Sequence, residues 1–268
     1  MGVINTTPDS FSDGGSLYSG TGLDLSLVLM RARQMIADGA SILDIGGEST
    51  RPGAAAVSEQ EELDRVIPSV EAIRGESEVD ISVDTSSPVV MRESAGAGAS
   101  MINDVRALSR EGALETAVEL ALPVCLMHMQ GEPGTMQDAP SYEDVTAEVL
   151  AFLLERAAAC EAAGLPRDKI LLDPGFGFGK TLRQNLQLLK DLSRLAEPGY
   201  PLLVGLSRKS MIGKLLGRAV DDRLPASIAL AVLAAERGAS IIRTHDVRET
   251  ADALAMAVAL AAPDSAGD

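Results

Sequence analysis

The sequence predicts a single-domain α/β protein, a (β/α)8 TIM barrel with its site at the C-terminal ends of the strands. Three observations predict it. Short apolar runs that read as strands buried on both faces alternate with helix-period segments along the chain. Eight such units in 268 residues suit a closed parallel barrel better than an open doubly wound sheet. Each apolar run stops at a polar residue and a loop, as at 170–173, where Ile-Leu-Leu ends on Asp173 and Pro174. A carboxylate there is costly unless something pairs with it. Gly175, Gly177 and Gly179 then let the backbone approach a bound molecule closely.

In order, 1–4 is a strand ending at Asn5, and 6–22 is too long and polar for a simple βα turn, so it reads as a functional loop. Residues 23–37 have helical apolar spacing and Gly39 as a stop. Strand 41–45 leads into a second long loop, 46–57. Helix 59–74 opens on Ser58 with Glu61 three residues on, a capping-box pattern. Then follow strand 81–83, helix 88–97, strand 100–102 with Asn103 and Asp104 at its end, helix 111–121, and strand 123–127 ending at His128. A Gly/Pro/Gln loop, 129–140, precedes a long helix over 143–163. Strand 170–172 is followed by one helix over 182–195, and strand 202–206 by a helix from about 211 and another over 226–237. Strand 240–242 and helix 247–260 close the chain. Residues 1–262 form the barrel, and 263–268 are expected to be a disordered tail. Met1 already lies inside the first strand, so a short segment that would cover the barrel floor is expected to be lacking.

Composition narrows the function. Apolar residues make up 46 % and aromatics 3 %, with no Trp, so the core is aliphatic. A formal charge of −16 argues against nucleic acid and anionic membranes as partners, and an anionic substrate would need a local cationic pocket. No apolar span is long enough to cross a membrane and no signal peptide pattern begins the chain. Cys125 and Cys160 lie in no C-x-x-C pair and read as buried free thiols of a cytoplasmic protein.

In a barrel all strands end on one face. That gathers Asn5, Thr50 and Arg51, Asp84, Asn103, His128, Asp173, Lys209, Arg243 and His245 into a ring. Singly, each has a bland reading, such as a helix cap or a satisfied core histidine; together they do not. Asp84 and Asp173 as acceptors, Asn103 as both donor and acceptor, and Lys209 as donor suit a flat heterocycle with a donor–donor edge and a carbonyl. Arg51, Arg243 and His245 suit diphosphate or another anion. Asn5 beside them makes a reasonable Mg2+ ligand together with diphosphate oxygens and water. Rival motifs fail. Gly179-Lys180-Thr181 resembles the end of a P-loop, but Pro174 stands where its first glycine would be, and G-x-G-x-G is not a dinucleotide fingerprint. Two histidines and two distant cysteines argue against a structural zinc site.

Residues 5–15 (Asn-Thr-Thr-Pro-Asp-Ser-Phe-Ser-Asp-Gly-Gly) and 44–53 (Asp-Ile-Gly-Gly-Glu-Ser-Thr-Arg-Pro-Gly) resemble the two signatures of the dihydropteroate synthase family. Further similar stretches are 82–85, 102–105, 126–129, 172–180, 205–210 and 243–247, so the resemblance runs from Met1 to about Leu260. It shows no mismatch at a functional position and departs only in the missing N-terminal segment, which puts the closure of the barrel in question. The resemblance implies a pterin-binding TIM barrel of folate biosynthesis. Such an enzyme joins 7,8-dihydropterin-6-ylmethyl diphosphate to 4-aminobenzoate, giving 7,8-dihydropteroate and diphosphate. It further implies pterin binding by Asp84, Asn103, Asp173 and Lys209 between walls of Met127 and Phe178. Diphosphate with Mg2+ would be held by Asn5, Arg51, Arg243 and His245, and aminobenzoate by Thr50, Arg51, Pro52, Lys209 and Ser210. A homodimer through the late helices and sulfonamide inhibition are implied as well. An S_N1-like path is expected, in which Asp13 faces the methylene cation and the two long loops exclude water. Two alternatives stand beside it. A methyl-folate methyltransferase would need a corrinoid partner and has no use for 207–210, and a catalytically silent paralogue should lack Asp13 or Arg51.

Overall fold

The computed structural model describes residues 1–7, 17–19, 22–49, 57–131, 135–136 and 138–263. The first strand, β1 (Gly2–Asn5), is followed by a small antiparallel ladder of β2 (Tyr18–Ser19) and β3 (Gly22–Leu23), which spans the end of the stretch expected to be loop and the first residue of the expected helix. Then come α1 (Leu25–Ala37), β4 (Ile42–Gly46), α2 (Glu59–Arg74), β5 (Asp80–Asp84), α3 (Pro88–Ala97), β6 (Met101–Asp104) and α4 (Ala113–Leu120). The second half carries β7 (Val124–Met127), α5 (Val145–Ala162), β8 (Ile170–Asp173), α6 (Leu182–Lys190), α7 (Leu192–Ala196), β9 (Leu202–Gly205), α8 (Ser210–Leu216), α9 (Leu224–Glu236), β10 (Ala239–Arg243) and α10 (Val247–Ala261).

Eight strands form one parallel sheet in the order β1-β4-β5-β6-β7-β8-β9-β10. The sheet closes on itself. Gly2 bridges Thr244, with Val3 N–H donating to the Thr244 carbonyl at 3.2 Å and Thr244 N–H to the Met1 carbonyl at 3.0 Å. Closure, which the departure at the N-terminus put in question, is thus made by β1 itself.

Local chemistry sets the helix boundaries. Asp24, Ser58, Ser87 and Asp144 each cap a helix by accepting from backbone N–H groups of its first turn, and Thr181 with Gln184 forms a complete capping box. α4 starts later than the apolar pattern suggested because Gly112 sits at φ 78°, outside the helical region. The single helix expected over 182–195 is two. Asp191 leaves helical geometry, and its carboxylate accepts from Gln187 Nε2 at 2.6 Å and from Thr146 Oγ1 on α5 at 3.1 Å.

The core is aliphatic and lies between sheet and helices. One cluster runs from α3 round to α9, another beneath α1 to α3. A small plug of Met101, Cys125, Leu171 and Leu203, with Met1 and Ile241 against it, fills the interior below the mouth. Both cysteines are buried and free. Among the described residues no helix is long and apolar enough to cross a membrane. The expected tail lies outside the described residues beyond Pro263.

Candidate active site

A cavity of about 630 Å3 opens at the C-terminal ends of the strands. In a parallel barrel the last inward-facing residue of every strand points there. Asn5 of β1, Asp84 of β5, Asn103 of β6, Met127 of β7, Asp173 of β8 and Arg243 of β10 all line it. Phe178, Lys209, Ser210 and His245, from the loops after β8, β9 and β10, complete the expected set. Four expected site residues, Asp13, Thr50, Arg51 and Pro52, lie outside the described residues.

The floor is a charged network. Arg243 donates from Nε to Asp44 Oδ2 at 2.6 Å and from Nη2 to Asp84 Oδ2 at 3.3 Å. Asn103 Nδ2 donates to the same Asp44 oxygen at 3.3 Å. Burial, then the neighbouring Asp44 carboxylate, pushes the Asp84 carboxyl well above the usual carboxylate range, against the pull of Arg243. Burial opposes the charge on Arg243, but Asp44 and Asp84 hold its guanidinium protonated beyond the ordinary value. Asp173 is also raised by burial, opposed by the Gly175 N–H that donates to its Oδ1 at 2.7 Å and by Lys209. The Lys209 ammonium lies 4.3 Å over the Phe178 ring, a cation–π contact that holds both at the pocket wall.

The loops are tied to one another. Arg208, at φ 56°, is a non-glycine residue in the left-handed region, and bonds to its backbone and side chain hold it there. Its N–H donates to Ser227 Oγ at 2.9 Å, its carbonyl accepts from Arg223 at 2.9 Å, and its Nε donates to Asp246 at 3.1 Å. On either side of it, Ser207 Oγ meets His245 Nδ1 at 3.1 Å and Lys209 enters the pocket. At the loop after β4, Arg106 pairs with Glu48 at 3.2 Å.

Two expectations are corrected, for His128 and for the glycines after β8. His128 is not part of the ring. It is buried, packs edge-on against Phe152 at 5.0 Å, and is held neutral by burial and by Lys180, at about 3. Asp104, at the same strand end as Asn103 and with no site role expected of it, turns outward and accepts from Ser86 and from the N–H groups of Arg106 and Leu108, so it caps its own loop. Gly175 and Gly179 approach the chain rather than a ligand: a Cβ on them would meet the carbonyl oxygens of His128 at 1.9 Å and Gln130 at 2.3 Å.

Lys180 explains that tight winding. Its Nζ reaches His128 Nδ1 at 3.0 Å, the Gly175 carbonyl at 2.9 Å and the Phe178 carbonyl at 3.0 Å, with the His128 carbonyl farther off at 3.4 Å. The residue that ended the false P-loop is therefore the post around which the β8 loop is wrapped. Lys180→Met should cost about 3 kcal/mol in urea denaturation, because it leaves buried acceptors unpaired. A loss below about 1 kcal/mol would mean that those acceptors find other donors.

Sequence reasoning missed Asp44 and Lys180 as parts of this site. The signal for Asp44 was present: a lone carboxylate in the interior of an apolar strand, two residues before its inward-facing end at Gly46.

Comparison with known proteins agrees with this geometry. A family model described as "Pterin binding enzyme" matches residues 1–245. The dihydropteroate synthase of Escherichia coli (strain K12) is 59 % identical over 254 residues, which cover 95 % of this chain and 88 % of that protein. A solved structure of the Yersinia pestis dihydropteroate synthase with a sulfonamide drug complex superposes with a TM-score of 0.93 at 53 % identity, covering 97 % of this chain and 93 % of that one. The Xanthomonas albilineans dihydropteroate synthase with 4-aminobenzoic acid gives a TM-score of 0.90 at 50 % identity, covering 97 % and 92 %.

Proposed function

We propose that this chain, which belongs to the pterin binding enzymes and within them to the dihydropteroate synthase family, condenses 7,8-dihydropterin-6-ylmethyl diphosphate with 4-aminobenzoate. The products are 7,8-dihydropteroate and diphosphate. The observation that carries this reading is that every described residue assigned to pterin, diphosphate or aminobenzoate lines the same cavity.

Asp173 and Asn103 meet the donor-rich pyrimidine edge of the pterin, Lys209 meets its carbonyl or a neighbouring ring nitrogen, and Met127 and Phe178 sandwich the ring. Asp84 lies beside them as a further acceptor for a ring N–H. Arg243 and His245, with Asn5 at the rim, face the diphosphate, together with Arg51 outside the described residues. The fork of Arg243 has donors enough to keep its floor carboxylates while meeting an anion. Among the described residues no cluster of three His, Cys, Asp or Glu forms a protein cage for a metal. The amide of Asn5 fits Mg2+ that arrives on diphosphate and keeps its waters, and when bound the ion neutralises leaving-group charge.

Loss of diphosphate leaves an exocyclic methylene cation that the electron-rich dihydropterin stabilises, so C–O cleavage runs ahead of attack in an S_N1-like path. Asp13 is assigned to face that cation, and closure of the long loops keeps water from capturing it. The aminobenzoate amine attacks from the rim formed by Lys209 and Ser210, with Thr50, Arg51 and Pro52 assigned to the same subsite.

Incubation with the pterin diphosphate, 4-aminobenzoate and Mg2+ should yield dihydropteroate, with turnover lost on chelation. Pterin binding without product would favour a silent paralogue instead.

A homodimer through the last helices fits the apolar side chains that α10 leaves in solvent: Met256, Val258 and Leu260 are 71 %, 68 % and 80 % exposed. Light scattering should give twice the 27.9 kDa chain mass, and Val258→Glu should halve it; a wild-type monomer would remove the assignment. The buried free thiols suit a cytoplasmic setting.

A further inference from the structure

We infer that Asp44, which does not reach the pocket, is the positioning residue through which Asn103 and Arg243 are aimed at the pterin. The inference rests on the synthase reading and adds a residue to it. Asp44 is wholly buried on β4, in register with Ser82 of β5, and besides Arg243 the Met1 ammonium feels its charge. One of its oxygens, Oδ1, has no hydrogen-bond partner among the described residues. A buried carboxylate with an unpartnered oxygen is a poor choice for packing alone, since a well-fitted apolar residue would avoid the desolvation cost.

Its other oxygen does specific work. Oδ2 takes both Asn103 Nδ2, at 3.3 Å, and Arg243 Nε, at 2.6 Å. With the Asn103 amide nitrogen drawn down to a carboxylate, the amide carbonyl is turned away from Asp44. The flipped orientation would set oxygen against oxygen. Asn103 therefore offers the pocket a fixed acceptor. On the other side, the Nε bond sets the plane of the guanidinium, so that Nη2 reaches Asp84 at 3.3 Å. Asp84 is faced by Asp44 from β4, Arg243 from β10, Asp104 from β6 and Glu48 from the loop after β4. Of the carboxylates among these, Asp44 weighs most, and it keeps the proton affinity of Asp84 high where a ring N–H is to be held.

The test is Asp44→Asn in the full chain, compared with wild type in steady-state dihydropteroate formation. A wild type that makes no dihydropteroate would overturn the synthase reading itself. If wild type turns over, the variant should show a KM for the pterin diphosphate raised tenfold or more, with the KM for 4-aminobenzoate changed less than about twofold. The acid limb of its kcat/KM profile should move to lower pH, because Asp84 loses its like-charged neighbour. Equal changes in both KM values, or an unmoved pH profile with unchanged KM values, would overturn the inference. A thermal melt checks folding. If the amide does not fold, Asp44→Ser, smaller and also uncharged, carries the same expectations.

Discussion

Asp173→Asn is expected to weaken pterin binding at least tenfold, which corresponds to about 1.4 kcal/mol. The size follows from which atom the substitution presents. Gly175 N–H donates to Asp173 Oδ1 at 2.7 Å within a loop too tightly wound to release it. An asparagine keeps its carbonyl on that N–H and so turns its NH2 group toward the pocket. A donor then faces the donor-rich edge of the pterin, and a buried pair of donors without an acceptor costs more than the loss of one hydrogen bond. Because the loop contact survives, thermal stability should change little while affinity measured by titration calorimetry falls. Unchanged affinity would remove Asp173 from the pterin site.

Gly175→Ala should be the most damaging single change to the fold, on the order of 3–5 kcal/mol. Gly175 sits at φ 67°, where an L side chain is strained, and its added Cβ would lie 1.9 Å from the His128 carbonyl oxygen. That contact is backbone against backbone, so only separation of the β7 and β8 ends relieves it. Separation also breaks the Lys180 bonds and shifts Asp173. Gly199 provides the contrast. It has φ 84° and nothing within 4 Å of a built Cβ, so Gly199→Ala should cost only the left-handed strain, about 1 kcal/mol. Equal midpoints in urea for the two variants would show that the overlap at His128 is not what holds this loop.

Much of this was legible before any coordinates. Strands buried on both faces announce themselves as apolar runs, and parallel connection by helices follows from their spacing. Once the barrel is inferred, Asp84, Asn103, Asp173 and Arg243 must share a mouth, because each ends a strand on the same face. Direction of the side chain was harder to read. Asn103 and Asp104 are neighbours at one strand end, yet alternate pleating sends the first into the pocket and the second outward to Ser86. His128 lies one residue beyond its strand, where the pleat no longer dictates direction, and Lys180 draws it into the core. Lys180 itself was invisible as a structural post, since a lysine bonded to acceptors brought close by folding has no local sequence pattern. The break at Asp191 likewise depends on Thr146, forty-five positions away. Asp44 is the intermediate case: its oddity shows in the sequence, but its two partners, on β6 and β10, appear only when the barrel closes.

The most direct measurement is a crystal structure of the chain soaked with a 6-substituted 7,8-dihydropterin. The account predicts ring density between Met127 and Phe178, with the pyrimidine edge within hydrogen-bond distance of Asp173 and Asn103 and the Lys209 ammonium at the ring carbonyl or a ring nitrogen. A ring bound outside the barrel mouth, or one whose edge is met by none of these side chains, would contradict it.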